Sequence, residues 1–270
     1  MCQENDNIEA AKRAFSRACA IMLTHDHAEN GIGTLGEKSL HSTIKRYLSK
    51  DESTHEIKCG RYVADICAEG AIFEVQTRGF EHLRKKLEFF LPSYKVTVVH
   101  PIPAKKWVVK MNRHTGECGE KRKSPKKCGV FSVFPELYKI RQFVKHESFA
   151  LRLLLLEVTD YRITSGNPKD RGERFERMPS ALLEDITLHT PKDYQALLPQ
   201  SLPSPFTSKD LAKEAKIPLG EAQHALLVLT DIGAVERIGK QGNAYLYEKC
   251  VFSASDNTQC IAALRLHELC

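Results

Sequence analysis

Between residues 55 and 77 the chain reads as strand three times in succession, with only a turn between one strand and the next. HEIKC (55–59) is followed by Gly60, RYVADIC (61–67) by the Glu69-Gly70 pair, and AIFEVQT (71–77) by the Gly79 that opens the next element. Alternation of apolar and polar residues marks a half-buried strand, and connections this short join strands only as antiparallel hairpins. A three-stranded antiparallel meander is predicted, and the rest of the fold has to be built around it.

The flanking segments are helical. Ile8, Ala11, Phe15, Ala18 and Met22 recur at helical spacing, and Thr34 is placed to cap a second helix with Leu35, Leu40, Ile44, Tyr47 and Leu48 inward. The Gly-rich ENGIGTLG between them lacks the Lys-Ser/Thr of a phosphate-binding loop and follows no strand. After the meander, FEHLRKKLEFFL puts Phe80, Leu83, Leu87 and Leu91 on one face and is stopped by Pro92. YKVTVVHPI then alternates as a strand, and KKWVVKM is a further strand candidate. Residues 135–147 read as a helix, whereas periodicity leaves 150–163 open between a long strand and a buried helix. The predicted class is α/β.

Composition narrows the function. The 270 residues carry 40 Lys+Arg against 34 Asp+Glu, a net charge of +6 that is compatible with a phosphate-backbone partner without establishing one. Nine cysteines with no CxxC pair argue against a disulfide framework or a zinc finger, and Cys118 and Cys128 stand without a second pair. The N-terminus is polar, and the densest apolar run, Leu151–Val158, is broken by Arg152 and far shorter than the roughly 20 residues of a membrane span. A soluble, cytoplasmic protein with no membrane partner and no small-molecule cofactor is expected.

Asp65 falls on the second predicted strand, and Glu74 and Gln76 on the third, two residues apart and so on one face. Two carboxylates on neighbouring strands beside an amide make an oxygen ligand set suited to a hard cation such as Mg²⁺. Here the chain resembles the PD-(D/E)XK, or restriction-endonuclease-like, nuclease superfamily, whose core runs helix, three strands, helix, strand. The resemblance covers about residues 33–100. It implies Mg²⁺ (or Mn²⁺) held by Glu37, Asp65, Glu74 and the backbone carbonyl of Val75, with Glu37, Asp65, Glu74 and Gln76 as the catalytic set. Ala64 stands where the family has proline, and Gln76 where it has lysine. An amide cannot accept a proton from water or offer a full charge, but it can orient a water that a metal has acidified, and some members are active with Glu-x-Gln. His25 and His27 have no identifiable distant partner of ligand type and read as surface histidines.

The most basic stretch, 104–128, holds nine Lys/Arg and only Glu117 and Glu120 against them. It is either a solvated loop or a DNA-tracking arm. With Lys85 and Lys86 on the helix after the meander, Lys121, Arg122, Lys123, Lys126 and Lys127 are the nucleic-acid-binding candidates in this half.

GNPKDRGERFERMPS reads as a charged linker, and beyond it TSKDLAKEAKI, LGEAQHALLVLTDIG and AVERIGKQGNAYLY read as helix, helix and hairpin. That order predicts a winged helix-turn-helix. Its second helix has Leu219, Ala222, Leu226 and Leu229 inward, carries no Lys or Arg, and leaves Gln223 and His224 as base readers; the hairpin adds Arg237 and Lys240. The expected domains are a nuclease-like domain at 1–165, a linker at 166–187, a winged helix-turn-helix at 188–250 and a tail ending in a short helix at 251–270. The function expected is a metal-dependent DNA endonuclease, for which a homodimer would suit cutting of both strands. The alternatives are an inactive nuclease-like binding module and, third, a winged-helix regulator with an N-terminal sensor.

Overall fold

The computed structural model describes residues 2–29, 38–126, 128–165 and 170–252, with the side chains of 2–5, 23–29 and 38 left aside. Glu37, Thr34, Leu35, Lys127 and the helix expected near 261–269 lie outside the described residues. The chain forms two units, one of residues 1–132 with 148–187, the other of 133–147 with 188–270.

The first unit is a mixed α/β layer. Helices α1 (Cys2–Glu29) and α2 (Lys38–Leu48) precede β1 (His55–Cys59), β2 (Tyr62–Ala68) and β3 (Ala71–Val75). These three strands pair antiparallel in sequence order, through Gly60 and Gly70, which take the left-handed backbone the turns require (φ 62° and 77°). A 3-10 turn at Phe80–Leu83 leads into α3 (Arg84–Phe90), and β4 (Lys95–Asn112) returns parallel to β3, with Glu74 opposite Val98. Then β6 (Phe149–Thr164) pairs parallel to β4, and β7 (Glu173–Leu188) lies beyond it. Arg177 meets Asp160, Ser180 the Glu157 carbonyl, and Asp185 Arg152, so residue numbers rise along one strand as they fall along the other and β6–β7 is antiparallel. Phe15 and Cys19 of α1 and Leu40 and Ile44 of α2 form a core cluster with Val75, Val99, Leu154, Leu156, Val158 and Leu182 of the sheet. Ile8, expected inward, is 45% exposed.

Three segments settle or correct the sequence reading. Residues 150–163 are strand, which settles the open choice. Most of the expected linker, 173–187, is instead β7, because its charges are answered across the sheet rather than by water: Arg177 donates to Asp160 at 2.6 and 3.0 Å, and Arg152 to Asp185 at 2.8 and 2.7 Å. And the two strands expected around Pro101 and Pro103 are one, β4. Val99 turns its carbonyl toward β3, accepting the Gln76 N–H at 2.9 Å, so residues 101 and 103 turn the same way, just where β3 has ended. A proline there has no ladder bond to lose. Beyond it, short strand β5 (Arg122–Lys123) takes up the open side against Trp107 and Val108. The distal halves of β4, β6 and β7, with β5, thus form an arm running on from the end of the sheet where β3 stops.

In the second unit the expected helix at 135–147 is shorter, a helical turn α4 (Phe134–Leu137) passing into 3-10 helix at Tyr138–Phe143. Helix α5 (Pro191–Ala196) follows, then α6 (Ser208–Ala215), α7 (Leu219–Ile232), β8 (Val235–Gln241) and β9 (Ala244–Lys249). Thr190 and Thr207 start α5 and α6 with reciprocal capping boxes to Asp193 and Asp210, and Gly233 closes α7 in the left-handed conformation (φ 87°). Ala222, Ala225, Leu226, Val228, Leu229 and Ile232 bury one side of α7, but Leu219, expected inward, is 41% exposed. No helix among the described residues is long and apolar enough to cross a membrane.

Candidate active site

The carboxylates singled out in the sequence meet where β2 and β3 lie against α2 and α3. Asp65 Oδ2 accepts the Val75 N–H at 2.8 Å and lies 3.2 Å from His41 Nε2 of α2. Glu74, at the buried end of β3, accepts from Lys86 Nζ of α3 at 2.7 Å through Oε2. Its side chain is 3% exposed, against 21% for Asp65. The other oxygen, Oε1, is buried with no hydrogen-bond partner among the described residues.

These surroundings drive the two carboxyls apart. Burial, helped by the charge of Asp65, pushes Glu74 up to about 7 even with Lys86 beside it. Burial pushes Asp65 up as well, but the hydrogen bond and charge of His41, the Val75 N–H and the charge of Lys86 outweigh it and hold Asp65 below its ordinary value. The site therefore holds one firmly ionised carboxylate and one that gives up its proton near neutrality.

Gln76 is tied to the turn that follows β3. Its amide donates to the Arg78 carbonyl at 2.6 Å, and its own carbonyl meets His100 Nδ1 at 2.8 Å, so the residue fixes the turn out of β3. Lys86, expected as a contact to a nucleic-acid backbone, faces Glu74 instead, while Lys85 is exposed as expected. The sequence reading missed His41. The signal was available, since His41 lies four residues after Glu37 in the quoted GEKSLH and four residues is one helical turn. Glu56 was also passed over. It adopts a left-handed backbone (φ 53°) inside β1, pairs with Lys45 at 2.8 Å, and feels both Asp65 and His41.

The donor set fits a divalent cation in kind. A buried carboxylate oxygen without a hydrogen-bond partner among the described residues and a second carboxylate on the neighbouring strand are hard oxygen ligands, and Mg²⁺ commonly takes one or two carboxylates and keeps water for the rest. Among the described residues no three His, Cys, Asp or Glu side chains converge as a cage.

The remaining basic candidates fall on the arm and on the second unit. Lys121, Arg122, Lys123 and Lys126 are exposed on and beside β5. In the second unit the Arg237 guanidinium lies 3.7 Å from the Tyr245 ring centroid, with Lys240 at 4.9 Å from the same ring. His224, expected to read bases, is engaged within its own unit: Nδ1 meets the Gly220 carbonyl at 2.9 Å and the ring packs edge-on to Tyr138 at 5.3 Å, while Asp231 of the same helix faces Arg141 at 3.5 Å.

An uncharacterized protein of Treponema pallidum (strain Nichols) is 27% identical over 222 residues, covering 81% of this chain and 87% of that protein. No solved structure matches. Residues 38–189, more than half of the chain and the whole run from α2 through β7, match the model of a domain of unknown function, DUF8091. The chain belongs to the DUF8091 family.

Proposed function

We propose that the first unit is a divalent-metal-dependent endonuclease that hydrolyses DNA phosphodiester bonds on a PD-(D/E)XK-like core. The observation that carries the reading is the Asp65–Glu74 pair at the end of β3, with Oε1 of Glu74 buried and unpartnered and with Lys86 and His41 closing on the two carboxylates. The order helix, antiparallel meander, helix, parallel strand supports it.

Asp65, Glu74 and the Val75 carbonyl would hold the metal, with Glu37, which lies outside the described residues, as the further ligand that the family resemblance implies. When bound, Mg²⁺ or Mn²⁺ supplies an acidified water and offsets charge on the phosphate. His41 and the Val75 N–H fix the orientation of Asp65. Lys86 takes the part that lysine plays in the family motif: it favours ionised Glu74 and presents the positive charge that Gln76 lacks. Gln76 holds the turn on which Glu74 is presented.

Cleavage of plasmid and of single-stranded DNA is the test, with Mg²⁺, Mn²⁺ or EDTA. Metal-dependent cutting that disappears in Asp65→Ala and Glu74→Ala is the expected result, and equal cutting by both variants removes the proposal. The second reading, an inactive nuclease-like module that binds nucleic acid or protein, is favoured by the engagement of the Gln76 amide with backbone. Metal-independent DNA binding by a well-folded protein that cuts nothing would decide for it.

The second unit we read as a winged helix that uses its hairpin rather than its second helix, since the α7 side chains His224 and Asp231 are taken up by Tyr138 and Arg141 while Arg237 and Lys240 stay on the wing.

A further inference from the structure

Trp107 is the only tryptophan in the chain, and it stands on the arm built from β4, β5, β6 and β7. Its indole N–H donates to Glu157 Oε1 at 2.7 Å, and the second oxygen of that carboxylate takes Lys105 Nζ at 2.8 Å. The ring is thereby held in one orientation. Lys121 Nζ and Lys105 Nζ lie 5.1 and 5.5 Å from its centroid, and Lys123, the β5 residue paired with Trp107, is exposed beside Arg122. Acidic partners are unevenly shared: Lys105 and Lys106 face Glu157 and Asp160, whereas Lys123 and Lys126 have no ion-pair partner among the described residues. A half-buried aromatic ring fixed by its own N–H, with the Lys121 ammonium over it and the exposed Lys123 beside it, is what an unpaired base with its flanking phosphates requires, because every base offers a π-face and the backbone follows the charge. A paired base is stacked within its duplex and does not present that face.

We propose that Trp107, with Lys121 and Lys123, forms a stacking site for an unstacked base of single-stranded nucleic acid. The base replaces the Lys121 ammonium over the ring, and the displaced ammonium moves to the adjoining phosphate. This extends the nuclease reading by naming an unpaired strand as the substrate form. Trp107 is nine residues along β4 from Val98, the register partner of Glu74, which at about 3.3 Å per residue is roughly 30 Å from the carboxylates.

The sole tryptophan makes the test direct. The full chain is titrated in EDTA with oligo-dT, oligo-U and a duplex of equal length, while tryptophan fluorescence and the anisotropy of end-labelled oligonucleotide are followed. Single strands quench Trp107 and the duplex does not; oligo-dT and oligo-U quenching alike assigns the site to either nucleic acid, and quenching by one alone narrows it to that one. Trp107→Ala weakens single-strand binding by about tenfold, the span of one base stack. Trp107→Phe, which keeps a ring in place, loses less. The double variant Lys121→Ala/Lys123→Ala lowers the salt dependence of binding. Absence of quenching by any single strand overturns the proposal, as does equal quenching by the duplex. Unchanged affinity of a Trp107→Ala protein with wild-type circular dichroism also overturns it. Because no metal is present, quenching without cleavage in the Mg²⁺ assay removes the nuclease reading alone, and cleavage without quenching removes this one alone.

Discussion

Lys86 Nζ reaches Glu74 Oε2 at 2.7 Å across the gap between α3 and β3, and in doing so ties the helix after the meander to the least exposed carboxylate of the site. The contact joins a residue whose burial favours the neutral acid to a cation that favours its ionised form. What happens at this pair decides both how the fold responds to pH and how the site would work.

Glu74 makes stability fall as pH rises. Its carboxyl sits near 7 in the folded chain against an ordinary 4.5. Below about pH 4.5 both folded and unfolded chains hold the proton; between the two values only the folded chain does; above 7 neither does. The unfolded state therefore binds fewer protons in that window, and stability drops through it by on the order of 3 kcal/mol. Glu74→Gln removes the loss, so denaturant midpoints should match wild type near pH 4.5 and exceed it at pH 8. An equal difference at both pH values would contradict the assignment.

Divalent metal should reverse that loss. If Asp65 and Glu74 take Mg²⁺, binding favours the ionised pair, and melting followed by fluorescence should show a larger upward shift at pH 8 than at pH 6, about 2.7 kcal/mol at 100 times Kd. Asp65→Asn keeps size and polarity but gives up the charge, and its melting temperature should not respond to Mg²⁺.

Lys86 and Gln76 should separate cleanly in kinetics. Lys86→Ala is expected to lower cleavage by about 10²–10³, the scale of losing one charge-stabilising donor, with Lys86→Arg recovering part of it. Gln76→Ala should leave cleavage near wild type and cost about 1 kcal/mol of stability through the lost bond to the Arg78 carbonyl. The opposite ranking would return the catalytic role to Gln76.

A fourth test concerns the sheet alone. Arg152 and Asp185 are only 15% and 14% exposed and make two hydrogen bonds, with Tyr47 bonded to the same carboxylate. Asp185→Ala leaves a buried guanidinium without its partner and should cost about 3–5 kcal/mol in urea denaturation. A loss below 1 kcal/mol would mean that water replaces the carboxylate.

How much of this was legible beforehand follows from what periodicity can see. The meander and α3 were readable because apolar residues alternate cleanly in 55–75 and Gly60, Gly70, Gly79 and Pro92 mark the breaks. β7 was not, because Arg177, Glu176 and Asp185 look like a solvated stretch until their partners on β6 and α2 are known; Glu176, for one, is buried and accepts from Ser39. Composition reports charge but not its pairing. The same limit explains Lys86, which stands among lysines in the sequence and faces a carboxylate in the fold. Asp65 and Glu74 were readable because two hairpin strands leave little freedom in which residues adjoin, whereas His41 comes from a separate helix brought in only by tertiary packing.

Pro101 and Pro103 have one more consequence. Between the end of β3 and the start of β5, β4 has no strand beside it on that side, and Pro101 there is buried, so a backbone donor at that position would be shut off from water without a ladder partner. Proline supplies no such donor at either position. The long strand can therefore outrun its neighbour without leaving an N–H unmet, because the residues at which the ladder lapses are ones that have none to leave.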